Sequence, residues 1–169
     1  ARHIPEADAG LRSGEWRKAD LEGVELHGKT LGVIGLGHIG TAVAERAEAF
    51  GMNVIAYAPR LAPAEARRRH AEPRDLEALL ASSDFISLHV PLADGTRGLI
   101  GADALRRLKP GARLVCTARG GLVDEAALVR ALDEGRLAGA ALDVFDNEPP
   151  GLIPLVQHPR VICTPHIGA

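Results

Sequence analysis

Short apolar runs recur along the chain at 31–34, 53–57, 84–88, 112–116, 137–142 and 160–164. Each is short enough for a buried strand, and most are bounded by Gly, Pro or Asp. Between them lie segments that read as helices, at 41–50, 63–69, 73–81 and 102–108. A further helix has Asp124 as its N-cap and Gly135 as its stop, while Lys109-Pro110-Gly111 ends the one before it. Alternating strands and helices predict an α/β fold, a doubly wound parallel sheet with right-handed crossovers and helices on both faces. The segment 4–16 reads as a helix followed by a polar stretch, so residues 1–27 form an arm outside a domain spanning 28–169.

The first strand leads into Gly35-Leu36-Gly37-His38-Ile39-Gly40, and a helix follows at once. Gly35 permits the tight turn, Gly37 lets a pyrophosphate approach the backbone, and Gly40 lets the helix pack close to the strand. The helix start offers unpaired N–H groups and partial positive charge to phosphates. Strand, turn and helix stand in the order that the dinucleotide-binding mechanism needs. The expected fold is therefore of the Rossmann type, holding NAD or NADP.

Composition narrows the picture further. The chain is 46% hydrophobic but only 3% aromatic, so Leu, Val, Ile and Ala must fill the core. A formal charge of −2 argues against a nucleic-acid partner, and the run Arg67-Arg68-Arg69 reads as a solvated helix face. No secretory leader and no membrane-spanning run is visible, which sets the expectation of a cytoplasmic protein without a membrane partner. Cys116 and Cys163 have no zinc-type spacing, so reduced thiols and no metal are expected.

Ligands of such sheets bind beyond the carboxyl ends of the strands. The segments at those ends are 35–40, 58–60, 89–91, 117–119, 143–148 and 165–166. Arg119, Glu148 and His166 should therefore meet at the cofactor edge. An Arg, a Glu and a His beside a nicotinamide suffice for carbonyl–alcohol interconversion.

The motifs Gly28-Lys-Thr-Leu-Gly-Val-Ile-Gly-Leu-Gly37, Leu88-His-Val-Pro-Leu92, Thr117-Ala-Arg-Gly-Gly-Leu-Val-Asp-Glu125, Ala141-Leu-Asp-Val-Phe145 and Thr164-Pro-His-Ile-Gly168 span nearly the whole chain. Together they resemble the D-isomer-specific 2-hydroxyacid dehydrogenases, D-3-phosphoglycerate dehydrogenases most of all. The resemblance implies an oxidoreductase acting on a 2-hydroxy or 2-oxo acid, with 3-phosphoglycerate the leading substrate. It also implies that this chain is the cofactor domain, with the substrate domain absent and little activity by itself. His166 then resembles the general acid/base, Glu148 its orienting partner, and Arg119 the anchor for the substrate carboxylate. A carboxylate beside an imidazole favours its protonated form.

The cofactor contacts implied by the resemblance are Gly35, Gly37, His38, Ile39 and Gly40 in the turn, then Ala58, Pro59 and Arg60 after the second strand. Val90, Pro91, Thr96, Thr117, Ala118, Arg119, His166 and Gly168 complete the set, with Asp143 on the nicotinamide carboxamide. His89 is expected to pack rather than transfer protons, and Asp124 and Glu125 to serve as helix-start residues. The resemblance further implies a homodimer through residues 1–26, where the only Trp, Trp16, stands on a polar stretch.

Two positions depart from the family pattern. Ala58 stands where NAD-type members have an Asp for the adenosine ribose, and losing such a charged hydrogen bond costs ~1.5–3 kcal/mol, roughly 10- to 150-fold in affinity. Arg60 stands where an Arg can meet the 2′-phosphate of NADP. NAD and NADP are left open, and an NADP-linked glyoxylate or hydroxypyruvate reductase is the alternative enzyme. Cys116 replaces a frequent Asn. A different class of function, a dinucleotide-sensing corepressor-like interaction protein, shares the same fold.

Overall fold

The computed structural model describes residues 1–168; Ala169, the last residue of the expected domain, lies outside them. Seven strands form one parallel sheet: β1 (Thr30–Ile34), β2 (Asn53–Tyr57), β3 (Glu72–Pro73), β4 (Phe85–Leu88), β5 (Ala112–Cys116), β6 (Leu137–Leu142) and β7 (Val161–Cys163). Their order is β3-β2-β1-β4-β5-β6-β7, so chain direction across the sheet reverses between β1 and β4. A crevice opens at such a switch point beyond the strand carboxyl ends.

The helices are α1 (Ile4–Arg12), α2 (His38–Ala49), α3 (Pro63–Arg68), α4 (Leu76–Ser82), α5 (Ala102–Arg106), α6 (Glu125–Asp133) and α7 (Pro154–Gln157). Successive strand residues point to opposite faces, and each face has its own core. Leu31 and Val33 of β1 join Ala44 and Ala47 of α2 and Ala66 of α3. Ile34 joins the larger cluster, with Leu79 of α4, Leu105 of α5, Leu128 and Leu132 of α6 and Leu155 of α7. Aliphatic side chains fill both, in line with the scarcity of aromatics.

Three local expectations need correction. β3 and α7 were not foreseen, because two and four residues carry too little pattern to read. Pro73 is tolerated in β3 because that strand lies at the sheet edge, where one side needs no donor. The helix expected from 73 starts instead at Leu76, where the Asp75 carboxylate accepts the Ala78 N–H at 2.7 Å. In the arm, α1 stops at Arg12 and the chain turns through Gly14 with φ 85° into the polar stretch. No residue of α1 is buried, and Trp16 is 81% exposed.

Candidate active site

The glycine turn leaves the backbone donors at the start of α2 free. Among the described residues, the N–H groups of Gly37, His38, Ile39 and Gly40 donate to nothing, and the first helical bond is Thr41 N–H to Gly37 C=O at 2.9 Å. A side chain on Gly37 would meet nothing within 4 Å, so the approach to these donors is open. Gly40 is the opposite case. A Cβ there would fall 1.9 Å from the Gly35 carbonyl oxygen, which shows how tightly α2 is drawn onto the turn. This donor set and open cradle fit the phosphates of a dinucleotide. His89 packs beneath the turn, its carbonyl 2.9 Å from where a Gly35 Cβ would stand. Its Nε2 lies 2.8 Å from the Ser87 hydroxyl, and burial pushes its pKa down.

Beyond β2, Leu61 N–H closes a turn onto the Ala58 carbonyl at 2.9 Å. Pro59 and Arg60 are exposed on that turn, and Arg60 has no carboxylate partner among the described residues. After β4, Val90 is half-buried and Pro91 exposed. The Thr96 hydroxyl is taken up by its own loop, donating to the Pro91 carbonyl at 2.7 Å and accepting from Ala93 N–H at 2.8 Å.

The carboxyl ends of β5, β6 and β7 carry the acid–base residues. His166 Nδ1 lies 2.7 Å from Glu148 Oε2. With the carboxylate as acceptor, Nδ1 holds a proton and Nε2 is the nitrogen left to exchange one with a substrate. Glu148 Oε1 accepts the Phe145 N–H at 3.1 Å. The His166 contact first, and that N–H second, hold the Glu148 carboxyl below the usual carboxylate range.

Asp143 locks the loop that carries His166. It is buried at 4% exposure. Its Oδ1 accepts the Thr164 hydroxyl and the Ile167 N–H, the latter at 3.0 Å, and its Oδ2 accepts the Gly168 N–H at 2.8 Å. These bonds hold its pKa down, the Thr164 hydroxyl contributing most. They also fix His166 at φ 53°, a left-handed conformation that L-residues adopt only when their surroundings impose it. A carboxylate has about four acceptor positions, so one remains for a ligand amide.

Arg119 sits on the neighbouring loop, exposed and without an acidic partner among the described residues, its Nη1 on the Ala118 carbonyl at 2.6 Å. The loops are packed backbone to backbone. A Cβ on Gly120 would stand 1.8 Å from the Phe145 carbonyl oxygen, and one on Gly168 3.9 Å from Thr117 Cβ. Ala118 is half-buried against the core, and the Cys116 thiol points to the Arg119 carbonyl at 3.8 Å. Burial pushes the pKa of that thiol up, so Cys116 is a packing group rather than a nucleophile.

Sequence reasoning missed two supports of this edge. Glu125, read only as a helix-start residue, accepts the Asp146 N–H at 2.8 Å and so ties α6 to the Glu148 loop. Arg69, read as part of a solvated run, donates to the Leu36 carbonyl at 2.7 Å. Its partners Arg67 and Arg68 do face solvent, pairing with Glu72 and Glu65. Neither support carries a local signal, because each joins segments more than twenty residues apart. Among the described residues no cluster of metal-ligating side chains occurs and no helix is long and apolar enough to cross a membrane.

An open glycine turn at the switch point of a parallel sheet, with an imidazole–carboxylate pair on the same edge, is the geometry of a dinucleotide-binding domain. Residues 1–168 match the family described as D-isomer specific 2-hydroxyacid dehydrogenase, NAD binding domain, and the chain belongs to that family. It is 49% identical to D-3-phosphoglycerate dehydrogenase of Bacillus subtilis over 168 residues, covering 99% of this chain and 32% of that protein. The enzyme of the same name from Methanocaldococcus jannaschii is 51% identical over 170 residues, again covering 32% of its length. Among solved structures, a glyoxylate reductase from Paecilomyes thermophila superposes with a TM-score of 0.91 at 43% identity, covering 99% of this chain and 51% of that one. D-lactate dehydrogenase with NAD+ from Lactobacillus jensenii gives 0.84 at 35% identity, covering 98% and 54%. The chain thus spans about a third of the length of the curated relatives, 32% in each case.

Proposed function

We propose that this chain is the cofactor domain of a dehydrogenase that interconverts a D-2-hydroxy acid and its 2-oxo acid, with 3-phosphoglycerate as the substrate. The observation that carries the reading is the 2.7 Å contact between His166 and Glu148, on the sheet edge that also bears Arg119. The similarity to D-3-phosphoglycerate dehydrogenases supports the choice of substrate.

The free N–H groups of the glycine turn would hold the pyrophosphate, and the bound nicotinamide would supply the hydride. Arg119 pairs its planar fork with the substrate carboxylate and so orients the adjoining carbonyl. His166 donates the proton on Nε2 to the carbonyl oxygen during reduction and removes it from the hydroxyl during oxidation. Glu148 keeps the ring turned, its carboxylate against Nδ1 at 2.7 Å. The substrate's other contacts belong to a second domain, so the cofactor domain alone has little turnover. Nothing in the comparisons supports the corepressor-like alternative.

A second reading, an NADP-linked glyoxylate or hydroxypyruvate reductase, is favoured by Ala58 and the unpaired Arg60 and by the similarity to a glyoxylate reductase. Turnover of the full-length protein on a panel of 2-oxo acids with NADH and NADPH separates the two. Activity on none of them would refute both. At the level of this chain, Arg60→Ala is expected to weaken NADPH binding by more than about tenfold and spare NADH, if NADP is the cofactor. Ala58→Asp should shift preference toward NADH, through ribose hydrogen bonds and repulsion of the phosphate. A wild-type preference for NADH that ignores the loss of Arg60 assigns the domain to NAD.

The exposed α1 arm supports a homodimer. Ile4, Leu11 and Trp16 are 67%, 62% and 81% exposed and have no cover in the monomer. Trp16→Ala should shift the mass measured by light scattering toward the monomer. A wild-type mass that stays monomeric at high concentration would end this reading.

A further inference from the structure

We propose that Arg69 is a positioning residue for phosphate binding, acting through the peptide unit between Leu36 and Gly37. The inference rests on the glycine turn being the dinucleotide site. Arg69 lies at the end of α3, 33 residues from the turn, yet its Nη1 donates to the Leu36 carbonyl at 2.7 Å. Among the described residues the same oxygen receives only one other bond, a long one of 3.5 Å from the Thr41 hydroxyl.

A trans peptide is planar, and its C=O and N–H point in opposite directions. Anchoring the Leu36 carbonyl toward α3 therefore turns the Gly37 N–H away from α3, and this N–H has no protein acceptor among the described residues. A guanidinium on the oxygen also polarises the peptide and makes its N–H a stronger donor. Gly37 bears no Cβ that could hold the peptide by packing, so its orientation depends on bonds of this kind. The Leu36 side chain, 3% exposed, anchors the other end of the unit in the core.

Arg69 is itself held in place. Its Nε donates to Glu65 Oε1 at 2.8 Å, and Arg68 reaches the other oxygen of that carboxylate. The two arginines hold the Glu65 carboxyl below its usual range, the Arg69 bond contributing most. Glu65 also neutralises Arg69, which leaves it poorly suited to bind a phosphate directly. Arg60, exposed and without a carboxylate partner, is the residue free to do that. The two arginines thus divide the work, Arg69 orienting the peptide that every dinucleotide uses and Arg60 left free for a ligand phosphate.

The test is calorimetric titration of NADH and NADPH into the wild-type chain and into Arg69→Met, Arg69→Lys and Arg60→Ala. Arg69→Met keeps an apolar stem and removes the fork. It should weaken both cofactors by the same factor, roughly tenfold, the value of one charge-assisted hydrogen bond. Arg69→Lys should recover part of that loss, since an ammonium can still reach the carbonyl. The Gly37 amide resonance should move in Arg69→Met, as the peptide loses its polarising partner, while the denaturation midpoint of the fold stays near wild type. Unchanged affinity for both cofactors would overturn the proposal, as would a loss confined to NADPH, which makes Arg69 a direct phosphate ligand. If Arg69→Met also loosens the fold, Arg69→Lys at wild-type stability decides: it must lie between wild type and Met for both cofactors. Wild-type protein that binds neither cofactor would remove the underlying site, an outcome separate from any effect of Arg69.

Discussion

Replacing His166 by Gln in the full-length protein is expected to lower kcat by about 10²- to 10⁴-fold, the usual contribution of a positioned acid/base. Gln can donate a hydrogen bond to Glu148 but cannot carry a proton to and from a substrate oxygen. The loss should therefore appear in the chemical step, and kcat should fall with a much smaller change in KM for the oxo acid. The same variant should alter acid stability. His166 holds Glu148 below its ordinary 4.5, so the pair's contribution to folding is fully present above that pH and is lost as pH falls through the depressed value. The stability difference between wild type and His166→Gln should shrink as the pH drops below 4.5. Denaturant midpoints measured from neutral to acid pH check this. A difference that grows toward acid would mean that His166 does not hold the Glu148 carboxyl down.

Gly40→Ala should produce the largest effect on the fold and on cofactor binding together. Two terms oppose each other. Gly40 lies in the first turn of α2, where alanine would gain up to about 1 kcal/mol of helix propensity. The new Cβ would stand 1.9 Å from the Gly35 carbonyl oxygen, a backbone atom that cannot swing aside. Overpacking of that kind costs about 1–3 kcal/mol and more against rigid backbone, so the clash wins. Relief requires α2 to move off the turn, which disperses the free N–H groups of Gly37, His38 and Ile39. Chemical denaturation should show a net loss of about 2 kcal/mol or more, and NADH titration should show binding lost in protein that is still folded. Wild-type affinity in Gly40→Ala would mean that the turn does not form the phosphate cradle.

The elements most legible in the sequence were those whose signal is local. All six expected strands sit within a residue of their apolar runs, because a buried parallel strand needs an apolar stretch and shows it. The Asp124 cap, the Gly135 stop and the glycine turn each rest on a few adjacent residues, and all three stand where expected. That Glu148 and His166 share one edge was also foreseen, because a parallel sheet gathers the residues after its strands there, and their pairing was implied by the family resemblance.

What the chain determined alone was therefore the alternation of strand and helix, the glycine turn and the set of residues brought to the carboxyl edge. These follow from periodicity and from the conformations that Gly, Pro and Asp allow. Tertiary structure decided how that edge is held rigid. Asp143 closes three hydrogen bonds around the His166 loop. Glu125 ties down the turn before Glu148, and Arg69 reaches the glycine turn from α3. Each of these is a polar side chain whose partner is a backbone group, or in one case a hydroxyl, of a distant segment. A backbone amide or carbonyl is the same in every residue, so it leaves no mark on the sequence, and only the folded geometry says which side chain it meets.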